Sequence, residues 1–138
     1  MLRSALLVVS LTLTACPSSP QTVMCQTDTD CSGGDICARN GECDAPSDVR
    51  AVKVTWLIRA MPASAQTCAN SPSFYVQFDG PTYEDTFAFE PVPCDQGQFN
   101  IDKLPKRFTQ VEMGIDGQFN DIAAIDPATE TAAFDLFP

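Results

Sequence analysis

From position 52 onward, apolar and polar side chains alternate with period two. Val52, Val54, Trp56 and Ile58 fall on one side of the chain, opposite Lys53, Thr55 and Arg59, with Leu57 as the exception. Phe74, Val76 and Phe78 alternate with Tyr75, Gln77 and Asp79, and Phe87 and Phe89 bracket Ala88. Phe99 and Ile101 alternate with Asn100 and Asp102; Val111, Met113 and Ile115 repeat the pattern, as do Ala132, Phe134 and Leu136. Successive residues of a strand point to opposite faces, so each run predicts a strand with one buried face. Asp79-Gly80-Pro81, Asp95-Gln96-Gly97, Leu104-Pro105, Asp116-Gly117 and Asp126-Pro127 separate the runs with turn chemistry. Roughly seven short strands at this spacing predict an all-β fold, a small antiparallel β-sandwich over residues 52–138. The segment after Asp126-Pro127 also fits a short helix, because Asp caps and Pro suits a first turn. The phase kept by Phe134 and Leu136 favours a strand there.

The beginning of the chain follows another pattern. Arg3 precedes a run of about eleven apolar or small residues, Ala5 to Ala15, that ends at Cys16. A membrane-spanning helix needs roughly 20 apolar residues, so residues 1–15 read as a cleaved leader. The sequence Leu13-Thr14-Ala15-Cys16 resembles the lipobox of bacterial lipoproteins. That resemblance implies cleavage before Cys16 and lipid on its sulfur, so that the membrane becomes a partner through Cys16. Each buried methylene adds roughly 0.8 kcal/mol, and several acyl chains anchor firmly where one does not. Pro17 stands where the inner-membrane retention signal of enteric bacteria has Asp, which points to the outer membrane.

Residues 16–24 form a Pro/Ser-rich tether, and residues 25–44 a cysteine-dense module in which Cys25, Cys31, Cys37 and Cys43 stand at even C-x5-C intervals. The module is too short and too polar to bury a core, so cross-links must hold it. Residues 45–51 read as a linker to the sandwich. Seven cysteines are an odd number for an oxidising compartment. With Cys16 assigned to lipid, the others fit three bridges and leave no free thiol. Cys68 and Cys94 pair with each other as a structural staple, worth roughly 3–4 kcal/mol on the chain-entropy model.

Asn40-Gly41 signals a two-residue type I′ hairpin, which pairs Arg39 with Glu42 across the ribbon. That register sends Cys37 and Cys43 to opposite sides and argues against bridging them to each other. Two connectivities then stay open, with Cys25–Cys37 and Cys31–Cys43 preferred. Four clustered cysteines also suit a zinc site, but the spacing lacks the C-x2-C knuckles such sites use. Asp28, Asp30, Ser32 and Gly33 match the opening of an EF-hand loop, yet Arg39 occupies the position that requires a bidentate Glu. Asp28 and Asp30 are read instead as turn formers, and no metal or other cofactor is expected.

The pattern C-x-T-D-x-D-C-x-G-G-x-x-C-x-x-G-x-C resembles the cysteine-rich repeats that follow lipoboxes in predicted lipoproteins of myxobacteria, distantly similar to the Dickkopf-type region. The segment with Trp56, Cys68, Cys94 and Leu104-Pro105 resembles the prealbumin-like sandwich domains attached to such repeats. The resemblance implies an exported, disulfide-bridged module on a β-sandwich; it carries no activity with it.

Charge and composition narrow the function further. Eight Lys and Arg stand against 18 Asp and Glu, a surface that repels phosphate backbones and excludes nucleic acid as a partner. The chain has no histidine, which removes the usual triads, the commonest general base and the usual His metal sites. Lys53, Lys103 and Lys106 have no serine in a nucleophile motif beside them. Glu84-Asp85 and Glu90 invite a glycosidase reading, but with 18 acids such groupings arise by chance. Trp56 shares the phase of the core, whereas Tyr75 lies on the opposite face and Tyr83 in a loop. Lys103, Lys106 and Arg107 form the sole basic cluster and are expected to balance nearby acids. The expectation is a lipid-anchored protein of the cell envelope with a non-enzymatic binding or structural role, with an envelope protein as a candidate partner. The alternatives are a carbohydrate- or calcium-binding module, or a small protease inhibitor.

Overall fold

The computed structural model describes residues 24–138; the leader, the tether and Cys16 lie outside the described residues, apart from Met24. Within them the chain is all-β, with short 3-10 turns and no α-helix. A two-stranded ribbon, β1 (Ile36–Cys37) and β2 (Cys43–Asp44), precedes the sandwich. The first sandwich sheet is built on β3 (Val49–Ile58). One edge of β3 carries β10 (Thr131–Leu136); along the other lie β7 (Gln98–Pro105) and then the short β4 (Met61–Pro62). The second sheet runs in the order β6 (Thr86–Pro93), β5 (Ser73–Asp79), β8 (Gln110–Ile115), β9 (Phe119–Ala124), antiparallel throughout.

The period-two alternation assigns the core correctly. Val52, Val54, Trp56, Ile58, Phe74, Val76, Phe78, Ile101, Val111, Met113, Ala132, Phe134 and Leu136 are all buried, and Leu57 is 42% exposed on the outer face. Phe87 and Phe89 on β6 and Phe99 on β7 are only partly buried, because β6 and β7 are the edges where the two sheets come together on one side. There Phe78, Phe87, Phe89, Phe99 and Phe108 seal the gap ring against ring, with centroids 4.9–6.4 Å apart.

Leu104-Pro105, read as a turn signal, lies buried at the end of β7, and three further features depart from the sequence reading. β10 pairs with β3 in parallel, Thr131 beside Lys53 through Leu136 beside Ile58, because a loop carries the chain from β9 of one sheet to the other sheet. β9 has no fully buried side chain, so it leaves no alternation to find; the turn signal Asp116-Gly117 is its only trace in the sequence. Third, the segment read as a linker is ordered. Pro46–Asp48 form a 3-10 turn, and Val49–Ala51 already belong to β3, with Val49 opposite Pro105 and Arg50 opposite Leu104. The apolar alternation starts only at Val52 because the register shifts between Arg50 and Val52, where β7 carries an extra residue.

Candidate functional site

Every cysteine among the described residues is bridged: Cys25–Cys37, Cys31–Cys43 and Cys68–Cys94, with Cα atoms 5.7, 5.6 and 5.8 Å apart. The pairing within the module is the preferred one, but its geometric ground is different. The Gly41 N–H donates to Ala38 O (2.9 Å) and the Ala38 N–H to Glu42 O (2.8 Å), with Gly41 at φ 84°. The hairpin loop is therefore three residues, Arg39 to Gly41, ending in a left-handed glycine, and the two-residue type I′ turn is not formed. The added residue shifts the register by one and sets Cys37 directly opposite Cys43. Their side chains leave the ribbon on the same side, each toward a cysteine of the preceding segment. The Cys25 N–H donates to Gly41 O (2.8 Å), which draws that segment along the turn. Three of the sulfurs, those of Cys25, Cys31 and Cys43, lie within 4.8 Å of one another, but as disulfides they offer no thiolate.

The predicted Arg39–Glu42 pair also fails to form, because both side chains turn to the sandwich. Arg39 reaches Asp102 (2.5 Å) and Glu42 pairs with Arg107. The extra residue in β7 explains the first contact. Lys103 stands at φ 51°, so β7 bulges at Asp102-Lys103 and presents both to the module. Asp102 takes Arg39, the Lys103 carbonyl accepts the Arg39 N–H (3.1 Å), and the Lys103 ammonium meets Asp28 (2.7 Å). The module thus covers part of the otherwise free edge of β7, which would be open to pairing with another chain.

The acids that resemble a calcium loop are engaged here. Asp28 accepts both Lys103 Nζ and the Cys37 N–H (3.0 Å), and the lysine bond first, then the amide bond, hold its carboxyl below the usual range. Asp30 closes the 3-10 turn Asp28–Asp30 by accepting the Gln26 and Thr27 N–H groups (2.9 and 2.8 Å), which lower its pKa in that order. Asp30 is thus a turn former, as expected, whereas the Asp28 carboxylate leaves its own turn to join the Cys37 amide and Lys103.

Arg107 is the second hub. Its guanidinium contacts Glu42, Asp44 (3.9 Å) and Asp85 (2.9 Å), and lies 4.9 Å from the centre of the Phe108 ring. Burial raises the pKa of Asp44, against the pull of Arg107, and its Oδ2 accepts no hydrogen bond. The basic cluster does neutralise acids, but Asp28, Glu42 and Asp44 are distant in sequence, in the cysteine-rich module. Asp85 is thereby accounted for as an ion-pair partner, while Glu84 and Glu90 are exposed.

Trp56 is buried, with Nε1 donating to Cys94 O (2.8 Å) and its ring edge-on to Phe74. Tyr75 is half-buried on the outer face of the second sheet. Its hydroxyl donates to Glu112 Oε1 (2.5 Å), and Asn120 Nδ2 donates to the same oxygen (2.9 Å). Burial and the Glu112 contact raise the Tyr75 pKa well above its ordinary value. Tyr83, by contrast, is 97% exposed. Gln77 and Asp79 continue the polar row on β5, joined by a 2.8 Å bond from Gln77 Nε2 to Asp79 Oδ1. Period-two analysis places these residues on the outer face but does not show which of them become neighbours, and it does not find the adjoining loop. Among the described residues, no helix is long and apolar enough to cross a membrane. Comparison with protein-family models, with curated proteins and with solved structures gave no match.

Proposed function

We propose that the chain is a lipid-anchored protein of the cell envelope, cut before Cys16, that acts by binding and not by catalysis. The observation that carries this reading is the cysteine accounting. Cys25, Cys31, Cys37, Cys43, Cys68 and Cys94 are all used in bridges, and Cys16, behind a short apolar leader, is the one left for another chemistry. Three bridges in so small a chain also suit an oxidising compartment outside the cytoplasm. The surface is acidic, which disfavours adhesion to anionic headgroups and makes a covalent anchor the plausible route to a membrane. Pro17 favours the outer membrane as its address.

The binding part of the proposal rests on chemistry. The chain has no histidine, and among the described residues most carboxylates are ion-paired, hydrogen-bonded or exposed, which supports a binding role over a catalytic one. Metabolic labelling with an alkyne fatty acid tests the anchor. The wild-type protein should take up label and Cys16→Ala should not; label retained by Cys16→Ala would overturn the proposal.

A further inference from the structure

The outer face of the second sheet carries a groove that anchoring leaves unused. Two adjoining hollows of about 380 and 340 Å³ share Glu112 as a common wall. The first lies between the 80–83 loop and Gln77, Asp79 and Gln110; the second lies between Tyr75 and the 115–120 turn. Together they follow β5 and β8 for about 13 Å, from Asp79 to Tyr75, at the usual strand rise.

The lining selects against most ligand classes. Neither hollow is lined by a Lys or Arg, and Asp79, Glu112 and Asp116 face the space. A phosphate, sulfate or uronate would find no counter-charge there and several like charges. An acyl chain would need a continuous apolar floor; Ile115 and Phe119 are confined to the second hollow, and the strand floor of the first is the side-chain amides and carboxylates of Gln77, Asp79, Gln110 and Glu112. Those groups suit hydroxyls: an amide supplies both donor and acceptor, and a carboxylate accepts on two oxygens. At the rim Tyr83 holds its ring 97% exposed, although a tyrosine commonly buries about 150–250 Å².

The groove is also set before any ligand arrives. Tyr75 and Asn120 fix Glu112, and Gln77 fixes Asp79. The loop that bears Tyr83 is closed by the Gly80 N–H on Asp85 O (2.8 Å), and Asp85 is held by Arg107. A Cβ at Gly80 would lie 2.3 Å from Asp85 Oδ2, so a larger residue there would have to displace the Asp85 carboxylate from its place against Arg107. Through Arg107 and Glu42 the same wall is tied to the cysteine-rich module.

We propose that this groove binds a neutral polysaccharide chain, with Tyr83 stacking on a sugar ring and Gln77, Asp79, Gln110 and Glu112 engaging its hydroxyls. This site rests on the binding role proposed above and gives it a ligand class. Affinity electrophoresis of the full chain, in detergent, tests it in gels containing mixed-linkage β-glucan, galactomannan or dextran, with polygalacturonate as the anionic comparison. At least one neutral polymer should retard the wild type and polygalacturonate should not. Tyr83→Ala should weaken the interaction about tenfold, in line with the loss of one stacking contact. Gln110→Ala should weaken it to a lesser extent; both positions are exposed, and unchanged melting temperatures would show both variants folded. No retardation by any neutral polymer, retardation unchanged in both variants, or preference for polygalacturonate would overturn the proposal. Cys16 labelling in the same preparation separates the two readings: label without sugar binding removes the groove alone, and sugar binding without label removes the anchor alone.

Discussion

Lys103 places its ammonium 2.7 and 2.8 Å from the two carboxylate oxygens of Asp28, a residue 75 positions earlier in the chain. The contact joins a bulge in a sandwich strand to the first turn of the cysteine-rich module. Both partners are partly exposed, so the pair adds little to global stability; its effect is to hold the module in place. Lys103→Met should therefore leave exchange in the core strands unchanged. The amides of Cys37 and Arg39, which depend on this contact, should exchange roughly threefold to fivefold faster in hydrogen-exchange mass spectrometry.

Two sets of carboxylates respond to acid with opposite sign. The bonds to Lys103 and the Cys37 amide hold the Asp28 carboxyl below the ordinary aspartate range, and those to the Gln26 and Thr27 amides do the same for Asp30. Their contribution is complete above the unfolded pKa of about 3.9 and is lost as pH falls through the depressed values. Asp44 is shifted upward, chiefly by burial, so its charged form opposes folding and protonating it favours the fold. Melting temperature should hold or rise slightly as the pH is lowered from neutral, then fall below about pH 4. Asp44→Asn should be neutral or stabilising at pH 7 and should remove the early rise, whereas Glu42→Gln, which loses the Arg107 pair, should lower the melting temperature by the equivalent of about 1 kcal/mol.

Much of the sandwich is legible in the sequence, and the reason is physical. A strand with one buried face must alternate, so Val52 to Ile58 and Phe74 to Phe78 announce themselves. β9 stays hidden because it lies at a sheet edge, with Phe119 and Ala123 only partly buried and Ile122 exposed. The module's docking is hidden for a different reason. Arg39, Asp102, Lys103 and Arg107 have no periodicity, and their partners are set by a bulge and a three-residue turn that differ from the expected register by one position. The polar groove is partly legible, since Tyr75, Gln77 and Asp79 and, on β8, Gln110 and Glu112 alternate as outward positions; the pairing of β5 with β8 that sets them side by side and the 80–85 loop that walls them are not.

Trp56 reports on the third disulfide. It is the chain's single tryptophan, buried and bonded to the carbonyl of Cys94. Replacing Cys68 and Cys94 together by Ala should cost roughly 3–4 kcal/mol, measured by denaturant unfolding followed through Trp56 fluorescence. Trp56→Phe, which leaves that carbonyl without its donor and removes the fluorophore, should cost about 1–3 kcal/mol with the bridge intact, measured by denaturant unfolding followed through circular dichroism.

Ile58 and Met61 are joined by Arg59 and Ala60, both with positive φ, 52° and 62°. Such a two-residue turn suits glycine or asparagine, and a left-handed alanine carries a steric cost. Ala60→Gly should therefore stabilise the fold by about 1 kcal/mol, seen as a raised melting temperature. A lowered one would show that the turn's bonds, such as the Ala60 N–H to Asp135 Oδ1 (2.7 Å), hold it without strain.

Six cysteines are bridged, and the proposed function assigns the seventh, Cys16, to lipid. Mass spectrometry of the protein isolated from its source cells measures both at once, after iodoacetamide treatment with and without reduction. The account predicts a mature chain that begins at Cys16 with an acylated N-terminal residue, takes up no iodoacetamide in its native state, and takes up six equivalents after reduction. A mature chain with Cys16 free to alkylate, or with any of the other cysteines reactive before reduction, would contradict it.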